Sequence, residues 1–367
     1  MRIAILGTRG IPARYGGFET LAEELSARLA ARGHDVTVYG RPRYAEPGLS
    51  EWRGARIRVL PTVPTKYLDT VVHGAVSAID AAFERFDAVL FCNAINAAAC
   101  FLPRLSGRTR VVLNVDGLER NRRKWSAAGR WAYRISERLS TIVPDAVVSD
   151  ARVIQDYYRQ RYGFESVFIP YGGDLPAPAG RGTLDRLGLS PGGYVLYVSR
   201  LEPENNADAV VRAYRDVRGQ APLVVVGDAP YAADYIARVR READPRVRFP
   251  GAIYGEGYRE LLANAAVYVQ ATEVGGTHPA LVEAMGFGRV VCYNRSPDNE
   301  EVAGGAALPF DVTNPASLAS VLQTVLNNPS DHSGWGEKAR RRVEERYRWE
   351  DVAGRYEAVL AGRPVIS

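Results

Sequence analysis

Cysteine is scarce in this sequence. The three thiols, Cys92, Cys100 and Cys292, are odd in number and show no ligand spacing, which argues against a disulfide framework and a thiolate metal cluster. Each has apolar neighbours, so buried thiols in a reducing compartment are expected. Histidine is sparse too. His34, His73, His278 and His332 lie far apart, and no H-E-x-x-H or Cys/His cluster occurs, so no zinc site is expected. No run approaches the ~18–20 apolar residues of a membrane-spanning helix. The opening Met1-Arg2-Ile3-Ala4-Ile5-Leu6 is too short for a signal peptide and turns at once at Gly7. Low-complexity tracts and short-period repeats are absent. So is D-x-D, the pattern that would hold a divalent metal on a diphosphate.

What is present alternates. Over 367 residues, a length that suggests two domains, β-rich runs and amphipathic helical runs follow one another. The first half reads as strands at 2–6, 35–39, 56–60, 88–92, 111–115, 146–149 and 167–170. Helices are expected at 18–32, 70–82 and 124–143. The pattern restarts with strands at 194–199, 223–226, 247–249, 267–270 and 290–294, and helices at 207–217, 232–242, 258–264 and 279–287. Such alternation predicts doubly wound parallel sheets with both faces covered. The Gly/Pro-rich run 171–180 reads as a linker. A closing helix is expected over 338–360. The net charge of +5 suits an anionic substrate, a membrane surface or nucleic acid.

Three loops carry candidate chemistry. The first strand feeds Gly7-Thr8-Arg9-Gly10-Ile11-Pro12, then Tyr15-Gly16-Gly17-Phe18-Glu19. This is longer than a dinucleotide turn and is not G-x-G-x-x-G, which disfavours a dehydrogenase. Gly16 and Gly17 precede a helix. They either let backbone amides approach a diphosphate at a helix N-terminus or simply serve a turn that needs positive φ. In the second half, Ser199-Arg200-Leu201-Glu202-Pro203-Glu204-Asn205 follows a buried strand. Arg200 is placed either to fork onto phosphate oxygens or to pair with Glu202 or Glu204. Gly275-Gly276-Thr277-His278-Pro279 opens the 279–287 helix, with Glu283 one turn inside. That carboxylate either meets ribose hydroxyls or caps backbone amides.

These residues resemble the GT-B glycosyltransferases of the retaining family four, over nearly the whole chain. The opening loop, Asn114-Val115-Asp116-Gly117-Leu118-Glu119, the Arg200–Asn206 stretch and Gly275–Pro279 resemble a bacterial subgroup that includes rhamnosyltransferases of surface polysaccharides. The resemblance implies α/β architecture: two Rossmann-like, doubly wound parallel-sheet domains facing a cleft that closes about hinges near Gly172-Gly173 and Arg346. Residues 1–172 would form the acceptor-side domain, with a helix at about 346–367 packing back on it. Residues 173–345 would bind the nucleotide sugar. It further implies donor contacts from Gly16, Gly17, Arg200, Asn205, Tyr254, Gly255, Gly276, Thr277, His278 and Glu283, with Asp116, Arg200 and His278 as the catalytic set. Glu283 matches the second glutamate of the family's E-x7-E motif. The first falls on Gly275, so that carboxylate is missing unless Glu273, two residues away, substitutes for it, and a usual lysine is replaced by Asn205.

The implied reaction is metal-independent and retaining. It would move a sugar, L-rhamnose from dTDP-rhamnose by this resemblance, to a glycan or polyprenyl-diphosphate-linked acceptor in surface polysaccharide synthesis. No cofactor is expected. The segment 117–134 combines Arg120, Arg122, Arg123, Lys124, Arg130 and Arg134 with Trp125, Trp131 and Tyr133. It reads either as a contact for an anionic membrane or lipid diphosphate or as a solvated face with core-packed aromatics. No nucleic-acid motif accompanies the charge. The expected location is cytoplasmic, at the inner face of the plasma membrane if the segment binds lipid. A nucleotide-sugar 2-epimerase and a non-catalytic sugar-nucleotide sensor use compatible scaffolds.

Overall fold

The computed structural model describes residues 1–65, 68–117, 120, 126–229 and 231–365. In chain order, the first region contains β1 (Arg2–Leu6), α1 (Gly17–Ala31), β2 (Asp35–Gly40), β3 (Glu51–Trp52), β4 (Ala55–Val59), α2 (Asp69–Glu84), β5 (Ala88–Cys92), α3 (Phe101–Arg104), β6 (Arg110–Val115), α4 (Ala127–Ser140), β7 (Ala146–Ser149), α5 (Arg152–Tyr162) and β8 (Val167–Phe168). The second contains α6 (Gly182–Leu187), β9 (Val195–Val198), α7 (Ala207–Tyr214), β10 (Leu223–Val226), α8 (Ala233–Arg241), β11 (Val247–Gly251), α9 (Gly255–Asn264), β12 (Val267–Gln270), α10 (Pro279–Gly286), β13 (Val290–Asn294), α11 (Pro297–Ala303), β14 (Leu308–Phe310), α12 (Pro315–Asn327) and α13 (Ser333–Arg346). Helix α14 (Trp349–Leu360) follows. Two compact units result: Met1–Tyr171 together with the chain from Trp349 onward, and Gly172–Arg348.

Each unit is a parallel α/β sheet covered on both faces. The central strands are short apolar runs with no exposed face. β5 (Ala-Val-Leu-Phe-Cys) and β10 (Leu-Val-Val-Val) are buried at every position, as a sheet sandwiched by helices requires. The first sheet runs β3-β4-β2-β1-β5-β6-β7-β8 and the second β11-β10-β9-β12-β13-β14. In both, connections go one way from the first central strand and then reverse. The reversal falls between β1 and β5 in one sheet and between β9 and β12 in the other. Ligands bind outside the carboxyl ends of strands at such a reversal.

Several expectations from the sequence need correction. The single strand at 56–60 is the second arm of a hairpin. Arg53 and Gly54 both take positive φ, the conformation of a tight two-residue turn, and β3 pairs antiparallel with β4. The linker at 171–180 begins as core: Tyr171, Gly172 and Gly173 are buried. A Cβ on Gly173 would lie 2.5 Å from the Val282 carbonyl oxygen. The closing helix is two helices. Tyr347 leaves helical geometry at φ −132°, ψ 38°, its carbonyl accepts from Gly173 N–H at 2.8 Å, and Trp349 starts α14.

Helix α14 completes the first unit. It packs on α1, β5 and β6, with Trp349 and Tyr356 fully buried. Asn114 donates its amide to the Tyr356 hydroxyl, and Arg110 Nε donates to the Val359 carbonyl at 2.7 Å. Arg32 bridges Glu350 and Glu357, each at 2.9 Å. Exposed ion pairs of this kind add little individually; burial of the two aromatics supplies most of the attachment.

One glycine shows how tightly the ends of β9 and β10 are drawn together. Gly227, just past β10, has φ +146°, and a Cβ there would lie 1.8 Å from the Ser199 carbonyl oxygen. Gly188 also has positive φ, but its nearest neighbour would be the far end of Arg248 at 3.9 Å. Gly227→Ala should therefore cost roughly 3 kcal/mol or more and lower the thermal midpoint by roughly 10 °C. Gly188→Ala should cost about 1 kcal/mol. Equal melting of the two variants would show that the Ser199 backbone yields freely.

Candidate functional site

In the second unit, the two candidate loops end the adjacent strands β9 and β12. The loop after β9 is held by hydrogen bonds from three sides. Asn205 Nδ2 donates to the Arg200 carbonyl at 2.6 Å, and the Asn205 carbonyl accepts from the Tyr197 hydroxyl. Leu201 N–H reaches the Asp228 carbonyl at 3.3 Å. Asn206, at φ +60°, donates to the Ala271 carbonyl at 2.8 Å, and Glu273 N–H donates to the Glu204 carbonyl at 3.1 Å. The loop is thus tied to the ends of both neighbouring strands. Asn205 is 4% exposed, and its amide bonds the Arg200 carbonyl. That corrects its expected role: the side chain shapes the loop under Arg200 and is not presented to a phosphate. Arg200 itself is partly exposed, with Nη1 3.6 Å from Glu202 Oε2. That distance is an ion pair rather than a hydrogen bond.

The loop after β12 carries Gly275, Gly276, Thr277 and His278 into α10. His278 is the N-cap, Pro279 occupies the first turn, and Thr277 is buried. Glu283, one turn on, is 2% exposed and accepts from the Tyr258 hydroxyl of α9. Burial first, and then the facing Glu283 carboxylate, hold the Tyr258 hydroxyl well above its ordinary range, so the phenol stays protonated and donates. His278 Nε2 lies 2.9 Å from Asp298 Oδ2 in the first turn of α11. Tyr254 and Gly255 sit elsewhere, at the end of edge strand β11, where Tyr254 is 43% exposed and caps α9. The structure therefore brings together Arg200, Gly276, Thr277, His278 and Glu283 at the β9/β12 reversal. It sets Tyr254 and Gly255 two strands away, linked to the group through Tyr258.

In the first unit, the opening loop is bent back onto α1. Glu19 Oε1 accepts the Arg9 N–H at 2.8 Å and Glu23 Oε2 the Ala13 N–H at 2.5 Å. The glycines that need positive φ are Gly7 and Gly10. Gly16, the N-cap of α1, is extended at φ −166°, a conformation open to any residue. A Cβ on Gly16 would meet only Glu19 Oε2 at 3.6 Å. The turn-geometry reading of Gly16 is thereby overturned, and Gly17 lies inside α1 as its first residue. Asp116 directly follows β6 and accepts from the Tyr171 hydroxyl at 3.3 Å. Burial, with the carboxylates of Glu19 and Asp116 nearby, pushes the Cys92 thiol well up. The opening loop and Asp116 thus share one edge of this sheet.

Sequence reasoning missed several groups at these edges. Arg9 lies over the Tyr15 ring at 3.4 Å. Arg41, 1% exposed, pairs with Asp69 at 2.6 Å. Burial and the neighbouring Arg9 lower the Arg41 pKa. Its placement one residue past β2 was the available signal. Asp298 had a signal as well: Ser296-Pro297-Asp298 after β13 is a helix-start pattern, and the Ser296 hydroxyl does accept from Asn299 N–H.

The basic segment is only partly as expected. Leu118, Glu119, Arg122, Arg123, Lys124 and Trp125 lie outside the described residues. Arg120 turns inward, with Nε 3.0 Å from Glu137 Oε1 and Nη2 bonded to the Tyr157 hydroxyl. Tyr133 is buried. The outer face of α4 instead presents Arg130, Trp131, Arg134, Ile135 and Arg138, all exposed. Its one carboxylate, Glu137, is buried. Helix α3 packs on α2, and the turn at Ala94–Asn96 touches both α2 and α4. Helix α2 exposes Val71, Ile79 and Phe83, and α3 exposes Phe101. Apart from Tyr231 and Tyr254, every exposed large apolar side chain among the described residues lies in the first unit. Among those residues no helix is long and apolar enough to cross a membrane. No three His, Cys, Asp or Glu side chains among them come together as metal ligands.

Removing the Tyr258 hydroxyl tests the buried carboxylate. Tyr258→Phe should cost roughly 2 kcal/mol in thermal or urea unfolding, because a charge-assisted hydrogen bond to a buried carboxylate is lost. Glu283→Gln should cost less, since it buries no charge. The reverse order would mean that Tyr258 does not carry Glu283.

Known proteins are similar to this chain over both units. Residues 16–172 match the model of the glycosyl transferase 4-like domain, and residues 192–328 match that of glycosyl transferases group 1. A GDP-mannose-dependent alpha-(1-6)-phosphatidylinositol monomannoside mannosyltransferase of Mycolicibacterium smegmatis is 24% identical, over 98% of each chain. The O-antigen chain mannosyltransferase B of Escherichia coli is 26% identical over 46% of this chain and 45% of its own. Among solved structures, sucrose-phosphate synthase from Thermosynechococcus elongatus superposes with a TM-score of 0.82 at 19% identity, over 99% of this chain and 98% of that one. Anabaena HepE in complex with UDP-glucose does so with 0.79 at 17%, over 99% and 100%. At such identities these structures bear on the fold alone, which is GT-B.

Proposed function

Because the chain is a glycosyltransferase built from 4-like and group 1 domains, we propose that it moves a hexose, with retention, from a nucleoside diphosphate to a lipid-linked glycan. The second unit takes the donor and the first the acceptor. The observation that carries this reading is the meeting of Arg200, the α10 N-terminus and buried Glu283 at the β9/β12 reversal. A diphosphate suits that edge, because helix-end amides and a guanidinium form a preorganised positive field, while Glu283 offers acceptors to ribose hydroxyls. The acceptor oxygen attacks the anomeric carbon on the face that the diphosphate leaves. The C–O bond to the β-phosphate breaks, and the acceptor's proton passes to a phosphate oxygen. Protein donors neutralise the leaving group in this scheme, without a divalent metal.

On the donor, our first reading is dTDP-rhamnose, from the motif resemblance. GDP-mannose is the second, favoured by the full-length relative that uses it. A panel of nucleotide sugars should separate them, since a ligand that binds only the folded chain raises the melting temperature by mass action. The largest shift is expected from dTDP-rhamnose. A larger shift from GDP-mannose would replace rhamnose, and no shift from any member would remove the donor site from this edge. At saturating donor, Arg200→Ala should lower turnover by ~10²–10³. Near-normal turnover would take Arg200 out of the reaction.

The lipid-linked acceptor rests on the outer faces of α2, α3 and α4. Arginines beside Trp, Phe and Ile, without an exposed carboxylate on α4, match an anionic lipid surface. The protein should co-sediment with vesicles containing anionic lipid and be released by salt. Trp131→Ala with Phe83→Ala should weaken this severalfold. Binding confined to neutral vesicles, or none, would sink the membrane contact and leave the donor reading intact.

A further inference from the structure

We propose that His278 and Asp298 form a dyad that recognises a hydroxyl of the transferred sugar, standing where the motif carboxylate of position 275 is missing. This rests on the donor reading above and specifies one contact within it. The first observation is steric. A Cβ built on Gly275 would lie 2.3 Å from His278 Cε1, 3.0 Å from Nε2 and 3.1 Å from Nδ1. The imidazole therefore fills the space that any side chain at 275 would need. Glycine at 275 and histidine at 278 are a matched pair: the ring can lie there only because position 275 is bare.

The second observation is that the ring does not serve its own helix. His278 is the N-cap of α10, yet its side chain makes no capping hydrogen bond. It reaches across to α11 instead, where Asp298 Oδ2 is 2.9 Å from Nε2. Asp298 is 6% exposed and rigidly placed. The next residue, fully buried Asn299, donates to the Thr272 carbonyl at 3.1 Å and to the Asn294 carbonyl at 3.0 Å. These bonds fasten the start of α11 to the ends of β12 and β13.

Chemistry connects the two. A carboxylate facing Nε2 fixes the proton there, so Nδ1 of the neutral ring is an acceptor. An acceptor is what a carboxylate from position 275 would have offered to a sugar hydroxyl. The dyad thus offers an acceptor of the same polarity as the missing group, with the negative charge held one residue further back on Asp298. Asp298 is a positioning residue, acting only through the ring, as outer-shell carboxylates do for histidine ligands. No short sequence motif links residues 278 and 298; only the packing of α10 on α11 brings them together.

The test separates the sugar from the nucleotide. Donor KM would be measured beside the Kd of the matching free nucleoside diphosphate for the wild type, His278→Ala, His278→Asn and Asp298→Asn. His278→Ala and Asp298→Asn should raise the donor KM about ten-fold, while the diphosphate Kd stays within about two-fold. His278→Asn, which retains an acceptor near the position of Nδ1, should recover most of the loss. Gly275→Glu alone should be inactive, and Gly275→Glu with His278→Ala should bind donor more tightly than His278→Ala, because the carboxylate then has room. An unchanged donor KM in His278→Ala would overturn the dyad while leaving the diphosphate site standing. So would an equal rise in the diphosphate Kd, since that would assign the ring to phosphate or to structure. Failure of the wild type to bind any nucleoside diphosphate would overturn the dyad and the donor reading together.

Discussion

The pairing of β9 with β12 is the constraint on which the second unit turns. Val195, Leu196 and Tyr197 lie opposite Val267, Tyr268 and Val269, so two strands far apart in sequence end side by side. Crossovers from β9 run to one side of the sheet and those from β12 to the other. No connection covers the edge where they diverge, and the backbone amides of two loops open there. Asn206 and Glu273 then fix the separation of those loops to within hydrogen-bond tolerance. Chemistry at that edge depends on this register before it depends on any single side chain.

Much of this was legible because parallel strands buried on both faces are written as unbroken apolar runs. The stretches 88–92, 223–226 and 267–270 stand out for that reason. Loops at strand ends follow almost automatically, so Arg200 and Gly275–His278 could be placed before any coordinates. Turn-coded structure was harder to read. The β3–β4 hairpin depends on Arg53 taking positive φ, which arginine does not advertise. Helices α5, α11 and α12 were passed over: α5 is polar over most of its length, α11 is only two turns, and α12 follows a strand of three residues. The break between α13 and α14 left no local mark, because Tyr347-Arg348-Trp349 contains neither glycine nor proline; only the family resemblance, with its hinge near Arg346, pointed to it.

Side-chain direction was the deeper gap. The family resemblance put Asn205 among the donor contacts and the charge pattern put Arg120 on a basic segment, whereas packing turns both side chains inward, to the Arg200 carbonyl and to Glu137. Glu283 was anticipated as a buried carboxylate in need of partners, but its donor, Tyr258, comes from another helix. Tyr171 was missed on the same grounds: a partner supplied by tertiary packing leaves no local pattern. The glycines divide along this line as well. Gly7 and Gly10 are demanded by the backbone, and Gly275 by a neighbouring ring. Gly16 is demanded by neither.

The last helix belongs to the first unit, and this has a bearing on biosynthesis. Buried Asn114 and Tyr356 are hydrogen-bonded across 242 residues of chain, and Arg110 meets Val359 across 249. A ribosome that has released the first 171 residues has therefore delivered an open-sided sheet, with the seats of Trp349 and Tyr356 still exposed to solvent. At ~5–20 residues per second, the remainder of the chain takes on the order of 10–40 s to emerge. Throughout that interval the N-terminal half has an apolar face that only the final segment can cover. The second unit, continuous in sequence, carries no such debt and can close before the first is finished.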